Sequence, residues 1–216
     1  MDFRTISTEV LVIGGGVAGL RAAVAAAELG TEVAIVSKPS CASPEIMGFN
    51  APVMPGDSKE LYFSDIEQSG YGINDSRLAM VLSEHVLDEV TYLEGLGLEF
   101  DRDAEGRYLP IHTLGTAYPR LIKTGVSSGS AEMRILKARC GELGVKQYAP
   151  VDILGLLVSR GHVLGAYGLD LGSEELLRFT ASAVVLATGG CGAMQSFSTY
   201  PKALTGDGYA MAYEAG

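Results

Sequence analysis

The chain has 216 residues, 47% hydrophobic and 19% charged, with a formal net charge of −10 at pH 7. That length allows one or two domains with a buried core, and the balance is that of a globular protein. The acidic excess argues against nucleic acid or an anionic membrane surface as partner, and no window approaches the ~20 uninterrupted apolar residues of a transmembrane segment.

Val10 to Ile13 is a short β-branched run bounded by glycines, and it reads as a buried parallel strand. Gly14, Gly15, Gly16 and Gly19 follow as a G-x-G-x-x-G. Val17 to Leu29 is Ala-rich and helical in propensity, with Gly30 placed as its stop. Val33 to Val36 is a second strand, so the unit is strand, glycine turn, helix, strand. Gly14 permits the tight turn, Gly16 permits close backbone approach to a pyrophosphate, and Gly19 lets the helix pack on the sheet. The free N–H groups at the helix start, around Val17 and Ala18, face the anion with the positive end of the helix dipole. This context favours a dinucleotide site over a glycine-rich packing turn. At the end of the second strand, an Asp or Glu that would hold a ribose is replaced by Ser37 and Lys38. The Ser37 hydroxyl can still bond a ribose and Lys38 can neutralise phosphate, but the missing acid weakens an ordinary NAD reading.

Pro39 to Pro55 is a proline-punctuated loop that either packs over the sheet or lies along a cofactor. Asn74, Asp75 or Ser76 can cap a helix with Leu78, Leu82, Val86, Val90 and Leu93 on one face, ending near Gly95 or Gly97. Glu84, His85, Asp88 and Glu89 form its solvated side. Asp101 to Gly106 is a turn, and Tyr108 to Ser130 is a surface loop in which Lys123–Gly125 can meet a phosphate. A helix from about Ala131 to Leu143 stops at Gly144. Val151 to Val158, Val163 to Leu169 and Leu176 to Thr180, separated by the turn signals Arg160–Gly161 and Leu171–Gly172–Ser173, form an antiparallel meander. It leads into a strand at Ala183 to Ala187 and a second glycine junction, Thr188–Gly189–Gly190. Two such junctions offer one extended ligand two backbone approaches at the same sheet edge.

Cys41, Cys140 and Cys191 are scattered, and His85, His112 and His162 lack ligand spacing, so neither a disulfide framework nor a metal site is expected. The N-terminus shows no signal-peptide pattern, and the cysteine usage suits a cytoplasmic protein.

Several segments together resemble the flavoprotein family of fumarate reductase, succinate dehydrogenase and L-aspartate oxidase. They are VLVIGGGVAGLRAAVAAAELGTEVAIVSK, Asp57 to Asp65, LGLEFDRDAEGR at Leu96 to Arg107, SRGHVLGAYGLDL, AVVLATGG, and TGDGYAMAYEAG at Thr205 to Gly216. The resemblance implies a three-layer, Rossmann-like FAD/NAD(P)-binding α/β fold, with a parallel sheet and an antiparallel meander. It places the pyrophosphate of FAD on Gly14 to Gly19, the adenosine side on Ser37 and Lys38, and the adenine near the backbone of Ile153. Thr188 to Gly190 and Asp207 would meet the ribityl or phosphate part. Asp207, close to a helix start, can accept sugar hydroxyls or serve as a plain N-cap.

Three departures stand out. Cys41 to Val53 contains no histidine for a covalent flavin link, so FAD is expected to be non-covalent. The same loop is poorer in glycine and alanine than is usual in the family. The chain also ends at Gly216, where the family continues into a capping domain and the rest of the FAD domain. Residues 1–216 are therefore expected to be the amino-terminal portion of an FAD domain, with no catalytic residue assigned. The first reading is part of a flavin-dependent oxidoreductase acting on a small molecule, by family default a dicarboxylate. The second is a non-catalytic FAD-binding or interaction subunit, self-associating or completed by another chain. A NAD-dependent dehydrogenase is third, disfavoured by Ser37 and by the Thr188–Gly190 junction.

Overall fold

A computed structural model describes residues 3–216; Met1 and Asp2, part of the segment read for a leader, lie outside the described residues. In chain order the elements are β1 (Arg4–Ile13), α1 (Val17–Glu28), β2 (Val33–Val36), β3 (Phe49–Asn50), α2 (Lys59–Ser69) and α3 (Ser76–Gly95). Next come β4 (Leu121–Ile122), α4 (Ser128–Glu142), β5 (Lys146–Tyr148), β6 (Val151–Ser159), β7 (His162–Asp170), β8 (Leu176–Leu186) and α5 (Asp207–Ala215). They divide into two units, Met1–Glu45 with Leu136–Gly216, and Ile46–Ile135.

The first unit is built on a six-stranded sheet in the order β5-β2-β1-β8-β7-β6. β5, β2, β1 and β8 run parallel, while β8, β7 and β6 form the antiparallel meander. The expected mixed α/β architecture is therefore present. Leu11, Ile13, Ala34 and Val36 share one cluster with Ile153, Phe179 and Met211 of α5. Val12, Val33 and Ile35 alternate to the other face and are equally buried. α1 lies along β1 and β2, with Gly19, Leu20, Ala23 and Val24 turned inward. Burial on both faces explains why these strands read as continuous apolar runs.

Two strands are longer than their apolar runs. β1 starts at Arg4, because Arg4 to Thr8 pairs with Leu177 to Ala181. The separate strands expected at Leu176–Thr180 and Ala183–Ala187 are one element, β8. Its polar middle continues the ladder, and the Ser7 and Thr180 hydroxyls meet across it at 2.9 Å. The β6–β7 turn falls at Arg160 and Gly161, both at positive φ, as the sequence indicated. β5, too short and polar to show a strand pattern, went unpredicted.

The second unit contains α2, α3 and the antiparallel β3–β4 ribbon. Its centre is Arg120, fully buried and bonded to Asp57 at 2.7 Å through both Nε and Nη2, and to Asp65 through Nη1. The Tyr62 ring lies 5.0 Å from the guanidinium carbon. Losing one partner of such a buried set leaves an uncompensated charge, so the cluster fixes α2 and the segment before β4 firmly. α2 was not anticipated, although Ser58 caps it by accepting from Leu61 N at 3.2 Å. α3 matches its predicted span and is capped by Asp75. Its buried stripe is Ala79, Ser83, Val86, Val90 and Leu93, whereas Leu78 and Leu82 are exposed. The expected face is shifted by one residue in the first turns. The small Ala79 and Ser83 lie inward there, on the helix that packs against α2.

Glu132, on α4, is 4% exposed, and its Oε1 has no hydrogen-bond partner among the described residues. Burial pushes its carboxyl up from 4.5 to about 7. Because the folded state holds this proton more tightly than the unfolded chain, its stabilising effect is complete below pH 4.5 and is lost as pH rises through about 7. Wild-type stability should fall by up to about 3 kcal/mol between pH 5 and pH 8 on this account. Denaturant melts of Glu132→Gln should show that dependence removed; an unchanged slope would contradict the assignment.

Candidate nucleotide-binding site

The residues assigned to FAD lie in the first unit. Gly14 to Gly19, Ser37, Lys38 and Thr188 to Gly190 follow the carboxyl ends of β1, β2 and β8, Ile153 is near the start of β6 and Asp207 opens α5, whereas Lys123–Gly125 belongs to the second unit. Gly14 leaves β1 with φ +124°, a region side chains rarely adopt. A Cβ on Gly14 would lie 2.1 Å from Ala187 O, and one on Gly19 would lie 1.9 Å from Gly14 O. The end of β1, the start of α1 and the exit of β8 are thus in backbone contact. Gly14 N donates to Val36 O at 2.8 Å and Ala187 N to Ile13 O at 2.8 Å, closing the same corner.

α1 opens at Gly16 without a side-chain cap from that residue. Val17 N instead donates to Ser43 Oγ at 3.0 Å, while Ala18 N and Gly19 N meet no acceptor among the described residues. A Cβ on Gly16 would fall 2.7 Å from Ser43 Oγ, and one on Gly15 2.8 Å from Ser37 Oγ. The two hydroxyls therefore flank the glycine turn. Ser43 was missed, because the loop that carries it has no periodic signal. Only its position shortly after Ser37 could have pointed to it.

Ser37 is held by backbone bonds on both sides, its N donating to Tyr148 O at 3.0 Å and its O accepting from Val151 N at 2.9 Å. Lys38 Nζ bonds Asp207 Oδ2 and lies 3.2 Å from Asp152 Oδ1. Asp152 precedes Ile153, whose buried side chain belongs to the core cluster. Thr188 follows β8 and packs under α5, since a Cβ on Gly208 would lie 1.8 Å from Thr188 Oγ1. Gly189 has φ +79°, and Gly190 comes next in the same turn. Asp207 is not the N-cap of α5; Gly206 is, at φ +82°, and Asp207 occupies the first turn. The Lys38 bond, then the Thr205 hydroxyl, hold the Asp207 carboxyl below its usual range.

Other candidate groups have structural partners. Lys123 bonds Asp101 and Gly125 O, and Thr124 N donates to Ser128 Oγ. His112 is exposed, its Nε2 2.8 Å from Thr116 O. In the second unit an open cleft of about 530 Å³ lies beside Asp65, Asn74 and Leu78, and none of the nucleotide candidates lines it. Among the described residues no group of three His, Cys, Asp or Glu side chains can hold a metal ion, and no helix is long and apolar enough to cross a membrane.

A parallel sheet, a glycine turn in backbone contact with two strands, and unpaired N–H groups at a helix start define a dinucleotide-binding α/β domain. Residues 9–216 match the FAD binding domain family, and the chain belongs to that family. FAD is accordingly its cofactor, and the N–H groups of Ala18 and Gly19 at the start of α1, which meet no acceptor among the described residues, suit a pyrophosphate. The chain is 34% identical over 224 residues to one of the polypeptides of the CoM/CoB fumarate reductase of Methanothermobacter marburgensis, covering 100% of this chain and 41% of that protein. It is similar to a chain of the Mycobacterium smegmatis Sdh1 complex, with TM-score 0.91 and 32% identity over 99% of this chain and 39% of that one. A chain of E. coli quinol fumarate reductase gives TM-score 0.92 and 27% identity, covering 98% and 37%. The chain thus spans about two fifths of the length of these relatives.

The steric corner makes a direct prediction. Gly14→Ala and Gly19→Ala should each destabilise the fold by about 2–4 kcal/mol, because a methyl group would overlap backbone oxygen. Gly190→Ala, whose Cβ would lie 3.9 Å from Leu204, should stay within about 0.5 kcal/mol of wild type in the same melts. Equal effects at all three positions would contradict the close packing.

Proposed function

We propose that this chain is the FAD-binding portion of an oxidoreductase of the fumarate reductase and succinate dehydrogenase kind. The observation that carries this is the meeting of two strand-to-glycine junctions, after β1 and after β8, with open N–H donors of α1 between them. In this reading Gly14, Gly15, Gly16, Val17, Ala18 and Gly19 hold the pyrophosphate. Ser37, Lys38 and Ile153 lie on the adenosine side, and Thr188, Gly189, Gly190 and Asp207 meet the central part of the dinucleotide. FAD supplies hydride transfer when bound; the protein binds it, orients it and sets the charge around it. The substrate is proposed to be a small dicarboxylate, by analogy with relatives named as fumarate reductases. Three free cysteines suit a reducing compartment, and we place the protein in the cytoplasm.

A second reading has its own support. Leu78, Val81 and Leu82 of α3, with Tyr71 and Ile73 before it, are exposed apolar side chains on the second unit. Such a surface is what a partner chain or a second copy would cover, and it supports a non-catalytic FAD-binding or interaction subunit completed by another chain.

FAD should be bound without a covalent link, since residues 41–53 contain no histidine. After reconstitution with FAD, acid precipitation should leave all yellow colour in the supernatant; flavin retained on the pellet would contradict this. Gly16→Val, with its side chain in the space beside Ser43 Oγ, should abolish uptake of FAD. Wild-type affinity of that variant in a fluorescence titration would show that the glycine turn serves packing alone.

A further inference from the structure

Lys38 stands where a ribose-binding acid is common in dinucleotide sites, yet its charge is directed into the protein. Its backbone is fixed because the preceding Ser37 is bonded to both Tyr148 and Val151. From there the amine reaches Asp207 Oδ2, at the start of α5, and Asp152 Oδ1, on β6, at 3.2 Å. Thr205 Oγ1 also donates to Asp207 Oδ2, at 2.6 Å. That oxygen therefore takes two donors, whereas Asp207 Oδ1 has no partner among the described residues. The charged groups around Asp207 are Lys38, after β2, and Asp152, on β6; α5 itself packs on β6.

We propose that Lys38 is a positioning residue that pins Asp207 through Oδ2 and leaves Oδ1 as a fixed acceptor for a hydroxyl of the bound dinucleotide. The cluster of one ammonium and two carboxylates carries a net negative charge. It is a poor partner for phosphate and a good acceptor for sugar hydroxyls. Lys38 thus acts on the ligand through Asp207 and supplies no phosphate contact of its own. The amine stays protonated because the bonds to Asp207 and Asp152 outweigh the effect of its burial. This inference rests on the FAD reading above.

A double-mutant cycle tests it, using the full chain and FAD itself as the probe. Lys38→Met and Asp207→Asn should each weaken FAD binding by about tenfold or more, Lys38→Arg should restore most of the loss, and the double variant should bind no worse than Asp207→Asn alone. A separate readout needs no FAD. In a carbon-detected NMR titration of the side-chain carboxyls, Asp207 of the wild type should titrate below its ordinary 3.8, and Lys38→Met should move it upward while Lys38→Arg does not. Multiplicative losses in the cycle, or an Asp207 titration indifferent to Lys38→Met, would overturn the proposal. Failure of the wild type to take up FAD would overturn the reading of the site instead, and the carboxyl titration would still decide whether Lys38 governs Asp207.

Discussion

Backbone contact at one corner of the sheet organises the first unit. No side-chain atom fits between Gly14 and Ala187 O, or between Gly19 and Gly14 O, so β1, α1 and β8 approach as closely as bare backbone allows. Three things follow. The start of α1 is aimed along the carboxyl edge with its N–H groups outward, and β8 must lie beside β1 for its whole length. The turn after β8 then passes under α5, where Thr188 occupies the space a Gly208 side chain would need. A site for a dinucleotide arises as the geometric remainder of that packing.

Electrostatics refine the same edge. Hydroxyls of Ser37 and Ser43 flank the glycine turn, while Lys38, Asp152 and Asp207 form a compact ion cluster joining the ends of three elements. The pyrophosphate region is thus lined by dipoles and hydroxyls, and formal charge is gathered beside it. The second unit follows a different principle. There a buried arginine with two aspartates takes the central place, and Arg120, fully enclosed, is structural.

Much of this was legible in the amino-acid sequence, for physical reasons. The β1–α1–β2 unit shows itself because strands buried on both faces are apolar throughout and glycines are required where backbone meets backbone. The meander was legible from its turn at Arg160 and Gly161. What stayed hidden depends on pairing across long separations. The polar start of β1 is a strand only because β8 lies beside it, and β5 is a strand only because β2 does. α2 carries a proper cap, but only one of its residues is fully buried, so no apolar stripe announced it. The same applies to the candidate site. Gly14 to Gly19 declared itself, whereas Ser43 and Asp152 became candidates only through contacts made by Val17 and Lys38. Leu78 and Leu82 mark the converse error: helical spacing predicts an apolar face but not which small residues lie inward instead.

The central claim is that the carboxyl edge of the first unit receives FAD at the start of α1. Its most direct test is an amide NMR titration of the full chain with FAD. The account predicts that the N–H signals of Ala18 and Gly19, which meet no acceptor among the described residues, shift most, together with those of Ser43 and Thr188. Shifts confined to the second unit, around the cleft beside Asp65 and Asn74, would contradict it.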